Sequence, residues 1–201
     1  MYLSKIEVNP MNRLGRKDLA DPYELHRTIM RAFPSVEDGG PGRVLFRLEG
    51  EPERPIVIVQ STTEAKWDSL PLVEGYLNSP PIQKSFNPEF VAGQILRFRL
   101  RANPTVKREG KRLFLFDYED QVNWLKRKAT NGGFSVIQLT GVRSKTGPLS
   151  PGQGKNEMTL GAALFDGILR IEDPVNFKST IESGVGSAKG FGFGLLSLAP
   201  L

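Results

Sequence analysis

The sequence predicts an α+β protein made of two similar halves, each with the element order βαββαβ. Three observations predict this fold class. Segments that alternate apolar and polar residues, as half-buried strands do, recur along the chain. Two Asp-Pro pairs, Asp21-Pro22 and Asp173-Pro174, supply the N-cap and the first-turn proline that are typical of helix starts. Strands and helices follow the order of the ferredoxin-like split βαβ unit, fully in the second half and less completely in the first.

The first predicted domain, residues 1–88, opens with an alternating segment in which Leu3, Ile6 and Val8 are apolar. A helix should start at Asp21-Pro22 and end before Pro34. A polar turn rich in Glu and Pro then separates two strand-like segments. The predicted elements are a strand at Tyr2–Val8, a polar connection at Asn9–Ala20, a helix at 21–33, strands at Arg43–Glu49 and Pro55–Ser61, a short helix within Trp67–Leu77 and a linker at Asn78–Asn87.

The second predicted domain, residues 89–201, shows the complete element order. Its first strand alternates apolar residues with arginines, and its first helix has one apolar side and ends at Gly132-Gly133. The predicted elements are strands at Ile95–Ala102, Phe134–Val142, Met158–Ile171 and Gly194–Leu201, and helices at Asp117–Thr130 and 173–183. The same topology is found in RNA-recognition modules, although a fold alone does not establish a function.

Composition restricts the classes of function. The 201 residues carry a net charge of +5, which is compatible with a polyanionic partner without proving one. The absence of cysteine excludes disulfides, thiolate metal sites and cysteine nucleophiles. Because His26 is the one histidine, no histidine-based metal cluster is expected, and an enzyme with this sequence should need no metal. The sequence has neither a signal-peptide pattern nor a membrane-length apolar segment, so a cytoplasmic protein is expected.

The first long helix carries the residues with the clearest chemistry. Its apolar face, at about 100° per residue, comprises Leu25, Ile29, Ala32 and Phe33. Tyr23, Arg27 and Arg31 form a stripe on another face, with His26 beside Tyr23 at i+3. An imidazole transfers protons near neutral pH, a phenol donates a hydrogen bond, and arginines hold phosphate. These groups suit RNA cleavage, in which the ribose 2′-OH is the nucleophile. The alternative is an ordinary surface histidine beside a packing tyrosine.

Two further segments are candidates for binding a polyanion. Arg97, Arg99 and Arg101 alternate along one strand and so place a row of guanidinium groups on one face, suited to a phosphate backbone. A solvated sheet face is the alternative. The segment 184–194 has five glycines in eleven residues, which allows its backbone to approach a ligand closely. It differs from a dinucleotide-binding loop because its glycines follow a helix and precede a strand.

Four segments together resemble the CasE family, the repeat-specific endoribonuclease subunit of the type I-E CRISPR surveillance complex, Cascade. The resemblance spans essentially the whole chain and rests on MYLSKIEVNP, DPYELHRTI, RFRLRANP and GVGSAKGFGFGLLSLAPL. The last segment matches the family's ending G-x-G-x-A-K-x-x-G-x-G-L-L-S, with Gly190 as an additional glycine within it.

The resemblance implies two ferredoxin-like domains that bind the stem-loop of a CRISPR repeat and cut at the 3′ base of the stem. It implies no metal and no cofactor, products with a 2′,3′-cyclic phosphate (or 3′-phosphate) and a 5′-hydroxyl, and retention of the product with the other Cascade subunits. His26 falls on the family's active-site histidine and Tyr23 on a tyrosine that orients or stabilises the reacting groups. Whether His26 gives or takes the proton stays open.

The expected RNA-binding residues come from three sources. Helix geometry and strand alternation indicate Arg27, Arg31, Arg97, Arg99 and Arg101. The resemblance adds a basic hairpin near 143–155, which here holds only Arg143, Lys145 and Lys155. The glycine-rich segment adds Gly184, Gly186, Lys189, Gly192 and Gly194.

Three other functions are alternatives at this point. A non-catalytic RNA-hairpin-binding module would have the same surface with His26 incidental. A nucleotide-binding enzyme would use the glycine-rich segment, but the sequence lacks the lysine context and the clustered carboxylates that such enzymes use. A purely structural subunit would have no salt-dependent RNA affinity.

Overall fold

The computed structural model describes residues 1–69, 75–146 and 161–201 of the chain. Within these ranges the chain forms two compact units. The first contains residues 1–69, 75–87 and the short segment Gly190–Gly192, and the second contains residues 88–146, 161–189 and 193–201.

The first unit is a four-stranded antiparallel sheet in the order β2-β3-β1-β4, with two helices. Its elements are β1 (Tyr2–Glu7), α1 (Arg13–Ala20), α2 (Pro22–Met30), β2 (Val44–Glu51), β3 (Arg54–Ser61), a 3-10 helix at Trp67–Ser69 and β4 (Ile82–Ser85). The predicted apolar face of α2 and the residues that follow it is buried, and it packs with Phe46 of β2 and Val57 of β3 in one core. The core therefore fixes which side of α2 faces outward.

The second unit contains another four-stranded antiparallel sheet, in the order β10-β5-β9-β8, and a separate two-stranded hairpin. Its elements are β5 (Ile95–Ala102), β6 (Thr105–Arg108), β7 (Lys111–Phe114), α3 (Tyr118–Asn131), β8 (Phe134–Thr146), β9 (Gly161–Ile171), α4 (Pro174–Ser183) and β10 (Leu196–Ala199). A 3-10 helix at Lys189–Phe191 lies in the glycine-rich segment.

Both large sheets have the strand order of the ferredoxin-like unit. Within each, the third strand of the sheet lies between its first and second strands, and the fourth strand pairs with the other edge of the first. The predicted α+β fold class with two ferredoxin-like domains is thereby confirmed.

One predicted connection is wrong, because residues 13–20 of the segment Asn9–Ala20 form helix α1. The Asn12 side chain caps this helix by accepting hydrogen bonds from the backbone N–H groups of Leu14 and Gly15, at 2.9 and 3.1 Å. The segment is too polar to show an apolar period, since Leu14 and Leu19 are its only leucines and are only partly buried. The capping residue was the one usable signal.

Several strand assignments also differ from the prediction. The predicted linker Asn78–Asn87 contains edge strand β4, which tolerates Pro80-Pro81 in front of it because an edge strand has one neighbour. The basic segment after β5 forms the hairpin β6–β7. Strand β8 continues four residues past Val142, and β10 is shorter at both ends than predicted. The start of the strand predicted at Met158 lies outside the described residues.

A buried hydrogen bond connects α1 to the rest of the first unit. The Tyr76 hydroxyl donates to Asp18 Oδ2 at 2.8 Å, and both residues are about 1% exposed. Burial and the nearby Asp18 carboxylate raise the pKa of Tyr76 far above 10, so this hydroxyl stays protonated and remains a donor.

Replacing Tyr76 with phenylalanine should lower the free energy of unfolding by about 2 kcal/mol, because it leaves a buried carboxylate without its donor. Chemical denaturation measures this change. Tyr2→Phe is the matched control. It also removes a tyrosine hydroxyl, but one that makes no hydrogen bond to a described residue. Equal stability of the two variants would contradict the prediction.

Candidate active site

Helix α2 places Tyr23 and His26 one turn apart on neighbouring positions of its surface. Asp21 begins the helix by accepting a hydrogen bond from the Tyr23 backbone N–H at 2.9 Å, and Pro22 occupies the first helical turn. The Tyr23 side chain is 41% exposed, whereas His26 is half-buried. The two predicted catalytic residues are thus brought together at i and i+3.

The His26 imidazole lies flat against a buried aromatic ring. It stacks on Phe46 of β2, with the ring centroids 5.9 Å apart and the planes inclined by 13°. Its Nδ1 atom is buried and makes no hydrogen bond to any described residue. Burial lowers the pKa of His26 below 6.5, because an apolar environment solvates the charged imidazolium poorly and so favours the neutral ring. Nδ1 is therefore enclosed, and Nε2 is the nitrogen available for chemistry.

The segment Gly190–Gly192 completes the surroundings of the imidazole within the first unit. A Cβ atom built on Gly190 would lie 3.5 Å from His26 Nε2 and Cδ2. Gly192 has a φ of 78°, and a Cβ there would lie 3.2 Å from the Phe46 ring. The Phe191 ring lies beside Tyr23, with a centroid distance of 6.4 Å. Because Gly190 has no side chain, this position adds no side-chain atom over the Nε2 edge of the imidazole.

Phe46 and Gly190 are the site residues that sequence reasoning missed. Phe46 lies in an ordinary apolar strand pattern, which gives no signal of a contact with His26. Gly190 did carry a signal, as the additional glycine in the glycine-rich ending, but its position against His26 depends on chain folding over more than 160 residues.

One of the two arginines predicted to bind RNA from α2, Arg27, already forms an ion pair. Arg27 Nη1 donates to Glu24 at 3.2 Å, and Glu24 also accepts from Lys17 at 3.0 Å. These contacts are at the surface, so they stabilise the helix little and leave Arg27 able to change partners. Arg31 is exposed just past the end of the helix.

The arginine row of β5 makes contacts within the second unit. Arg99 is paired with Asp166 on β9, which lies directly opposite it and also binds Arg143 at 3.4 Å. Arg97 Nε donates to the Pro200 carbonyl at 2.8 Å, and the Arg101 guanidinium lies 5.0 Å from the Phe193 ring centroid. No acidic residue stands between these arginines in the sequence, but the neighbouring strand β9 supplies Asp166. An RNA-binding role for these residues stays a prediction.

The remaining predicted residues of the glycine-rich segment have packing roles in the second unit. Gly184 ends α4 with a φ of 77°. A Cβ on Gly186 would be 3.0 Å from the Trp124 ring, and one on Gly194 would be 2.9 Å from the Val185 carbonyl oxygen. Lys189 is half-buried at the start of its 3-10 helix. Of the predicted basic hairpin, Lys145 lies on β8 opposite Ala162, and Lys155 lies outside the described residues.

Metal donors are sparse around this site. Among residues 1–69, 75–146 and 161–201, no three His, Asp or Glu side chains form a group that could hold a metal ion. In the same part of the chain, no helix has the length and apolar character needed to cross a membrane.

The pKa of His26 should be measurable directly, because the protein has no other histidine. We expect an NMR titration of the imidazole Hε1 signal to give a pKa below 6.5 in the folded protein. Since the unfolded chain binds this proton more readily, acidification through pH 6.5 should lower the stability until the folded pKa is passed. A titration at or above 6.5 would contradict the burial of Nδ1.

Comparison with known proteins extends these observations to the whole chain. The family model described as CRISPR associated protein matches residues 1–200. The CRISPR-associated endoribonuclease Cse3 of Thermus thermophilus is 39% identical, with both chains fully covered. The CRISPR system Cascade subunit CasE of Escherichia coli K12 is 31% identical, again over both full lengths.

A solved structure agrees with the sequence comparison. The structure of Thermus thermophilus Cse3 bound to an RNA representing a pre-cleavage complex superimposes with a TM-score of 0.86 at 39% identity, covering 99% of this chain and 98% of that one. The resemblance predicted from the four sequence segments is thereby confirmed. This chain belongs to the family of CRISPR-associated proteins that includes Cse3 and CasE.

Proposed function

We propose that this chain is a metal-independent endoribonuclease that binds the stem-loop of a CRISPR repeat transcript and cuts it by attack of a ribose 2′-OH. The observation that carries the proposal is the setting of His26. Its ring stacks on Phe46, its Nδ1 is enclosed, and its Nε2 edge faces Gly190, whose neighbour Phe191 lies beside Tyr23. A full-length relative at 39% identity is named an endoribonuclease.

Two groups on α2 serve the proposed reaction. The 2′-oxygen forms a bond to the adjacent phosphorus as the bond from phosphorus to the 5′-oxygen breaks. One proton leaves the 2′-hydroxyl and one reaches the 5′-oxygen, giving a 2′,3′-cyclic phosphate and a 5′-hydroxyl. His26 Nε2 transfers one of these protons, solvent water exchanges the other, and the Tyr23 hydroxyl orients or stabilises the reacting phosphate.

The proposal that the reaction needs no metal rests on how few metal-ligating residues the sequence contains. The chain contains no cysteine and a single histidine, and the proposed role of that histidine is proton transfer. The positive charge that balances the phosphate in the transition state would come from arginine and lysine side chains.

The pH dependence of the rate assigns the direction of proton transfer at His26. If the neutral imidazole takes a proton from the 2′-hydroxyl, single-turnover cleavage falls as the pH decreases through its pKa. If the imidazolium gives a proton to the 5′-oxygen, cleavage falls as the pH increases through the same pKa.

The proposed partners follow from the relatives. Thermus Cse3 has been solved with RNA, and the Escherichia coli relative is a subunit of Cascade. We propose accordingly that this chain keeps its cut RNA and joins the other Cascade subunits with it. The proposed location is the cytoplasm, where the transcript is made.

Incubation with an end-labelled repeat transcript tests the function. The proposal predicts one cut at the 3′ base of the stem, and an upstream product that resists ligation and phosphatase until its cyclic phosphate is opened. Tight binding of the correct repeat without any cut would instead establish the non-catalytic RNA-binding module.

A further inference from the structure

The hairpin β6–β7 is a small sheet of its own in the second unit, and the proposed chemistry does not use it. Its two-residue turn is Glu109-Gly110, with φ values of 49° and 79°. Positive φ at both positions is the tight hairpin turn that suits the twist of two strands. The turn holds the neighbouring residues Arg108 and Lys111 directly opposite each other.

Charge is arranged unfavourably in this hairpin. Lys107 is paired across the strands with Arg112, just as Arg108 is with Lys111. Side chains that are directly opposite lie about 5 Å apart, and like charges in that position repel each other. All four side chains are exposed, and none has an ion-pair partner among the described residues. A bound polyanion would relieve this repulsion.

The base of the hairpin is held firmly to the rest of the unit. Phe114 packs against Gly161 of β9 so closely that a Cβ there would overlap its ring. The Leu115 backbone N–H donates to the Pro104 carbonyl at 3.0 Å, and Gln121 Nε2 donates to the Leu115 carbonyl at 2.8 Å. The four cationic side chains therefore project from a hairpin whose base is fixed to the second unit.

Exposed aromatic rings follow the hairpin directly. Phe116 is 73% exposed and Tyr118 is 59% exposed. Phe116 is oriented edge-on to Phe114, with a centroid distance of 5.2 Å. Exposed rings next to a basic arm are the combination by which proteins bind single-stranded nucleic acid, since cations follow the backbone and rings stack on bases.

We propose that the hairpin β6–β7, with the rings of Phe116 and Tyr118, is a second RNA-binding element that holds single-stranded RNA flanking the stem-loop. The inference rests on the proposed function and deepens it, because a transcript cut at a repeat continues past the stem. Single-stranded RNA is the better fit than the stem, whose bases are stacked on each other and offer no free faces.

Two RNAs and two double variants test the inference. The RNAs are the repeat stem-loop alone and the same stem-loop with a single-stranded extension of about 10 nucleotides, near the span of one single-strand binding site. The test variant is Lys107→Gln/Arg112→Gln, which removes one opposed pair. The control is Lys126→Gln/Arg127→Gln, which removes the same charge from exposed positions of α3.

We expect the extension to increase the affinity of the wild-type protein. The test variant should lose about fivefold or more of its affinity for the extended RNA, and the slope of log affinity against log salt should decrease by about 1.4, or 0.7 per charge. Its affinity for the bare stem-loop and its melting temperature should not decrease. The control should behave as wild type, and Tyr118→Ala should lose part of the gain from the extension.

Two results would overturn the inference. Unchanged affinity of the test variant for the extended RNA would show that the hairpin does not contact RNA. An equal loss on both RNAs would show that it contacts the stem. Failure of the wild-type protein to bind even the bare stem-loop would instead remove the proposed function, and the inference with it.

Discussion

Replacing His26 with alanine should reduce cleavage of a repeat transcript by a factor of about 10³, within the range that a positioned acid or base contributes. RNA affinity should stay within about twofold of wild type, because one half-buried neutral side chain adds little to binding dominated by phosphate contacts. Single-turnover rates at saturating protein measure the chemical step without product release.

His26→Gln is the matched variant for this experiment. Glutamine covers part of the Phe46 ring and keeps a polar end, but it does not exchange a proton at neutral pH. It should therefore be as inactive as His26→Ala while remaining as stable as wild type. Cleavage by His26→Ala at the wild-type rate would remove the histidine from the mechanism.

Replacing Gly190 with leucine should lower the rate of cleavage by about 100-fold, since small displacements at a reacting group have effects of that size. A leucine Cβ would lie 3.5 Å from His26 Nε2, and its methyl groups would cover the edge of the imidazole that is proposed to face the substrate. Gly190 does not have a left-handed φ, so the substitution tests space and not backbone strain. Gly190→Ala adds only the Cβ and should lose about tenfold or less.

Gly141→Leu is the control for this substitution. Gly141 also lacks a left-handed φ, and a Cβ there would meet no atom within 4 Å. It should cut as wild type does. Gly190→Leu should bind the RNA with unchanged affinity, because the substitution is expected to slow the cleavage step without weakening the protein–RNA complex. If Gly190→Leu cuts at the wild-type rate, Nε2 does not act on the substrate through this edge.

Local sequence patterns predicted those elements whose pattern is strong. Strand β5 was placed at its observed bounds, Ile95–Ala102, because its apolar residues alternate without interruption. Helix α2 and its buried face were predicted because an N-cap, a proline and a 3.6-residue period all agree. Helix α1 and strand β4 were missed because neither has enough apolar residues to show a period.

The residues of the candidate site show the same difference between local patterns, which the sequence reveals, and contacts that depend on the fold. Tyr23 and His26 could be singled out because their chemistry and spacing lie within one helix. Phe46 could not, since its stacking on His26 depends on how β2 pairs and on where α2 lies over the sheet. Asp166 is a second case, because this acid is 67 residues from Arg99 in sequence and meets it only through the register of β5 and β9.

The central claim is metal-independent attack by a ribose 2′-OH, and one cleavage assay tests it most directly. A repeat hairpin is incubated with the protein in excess EDTA, beside a twin RNA that carries a single 2′-deoxy group at the cut site. We predict cleavage of the ribose substrate at the rate seen without EDTA, and binding without cleavage of the deoxy twin. Loss of cleavage in EDTA that added Mg²⁺ restores, or equal cleavage of the two RNAs, would contradict the claim.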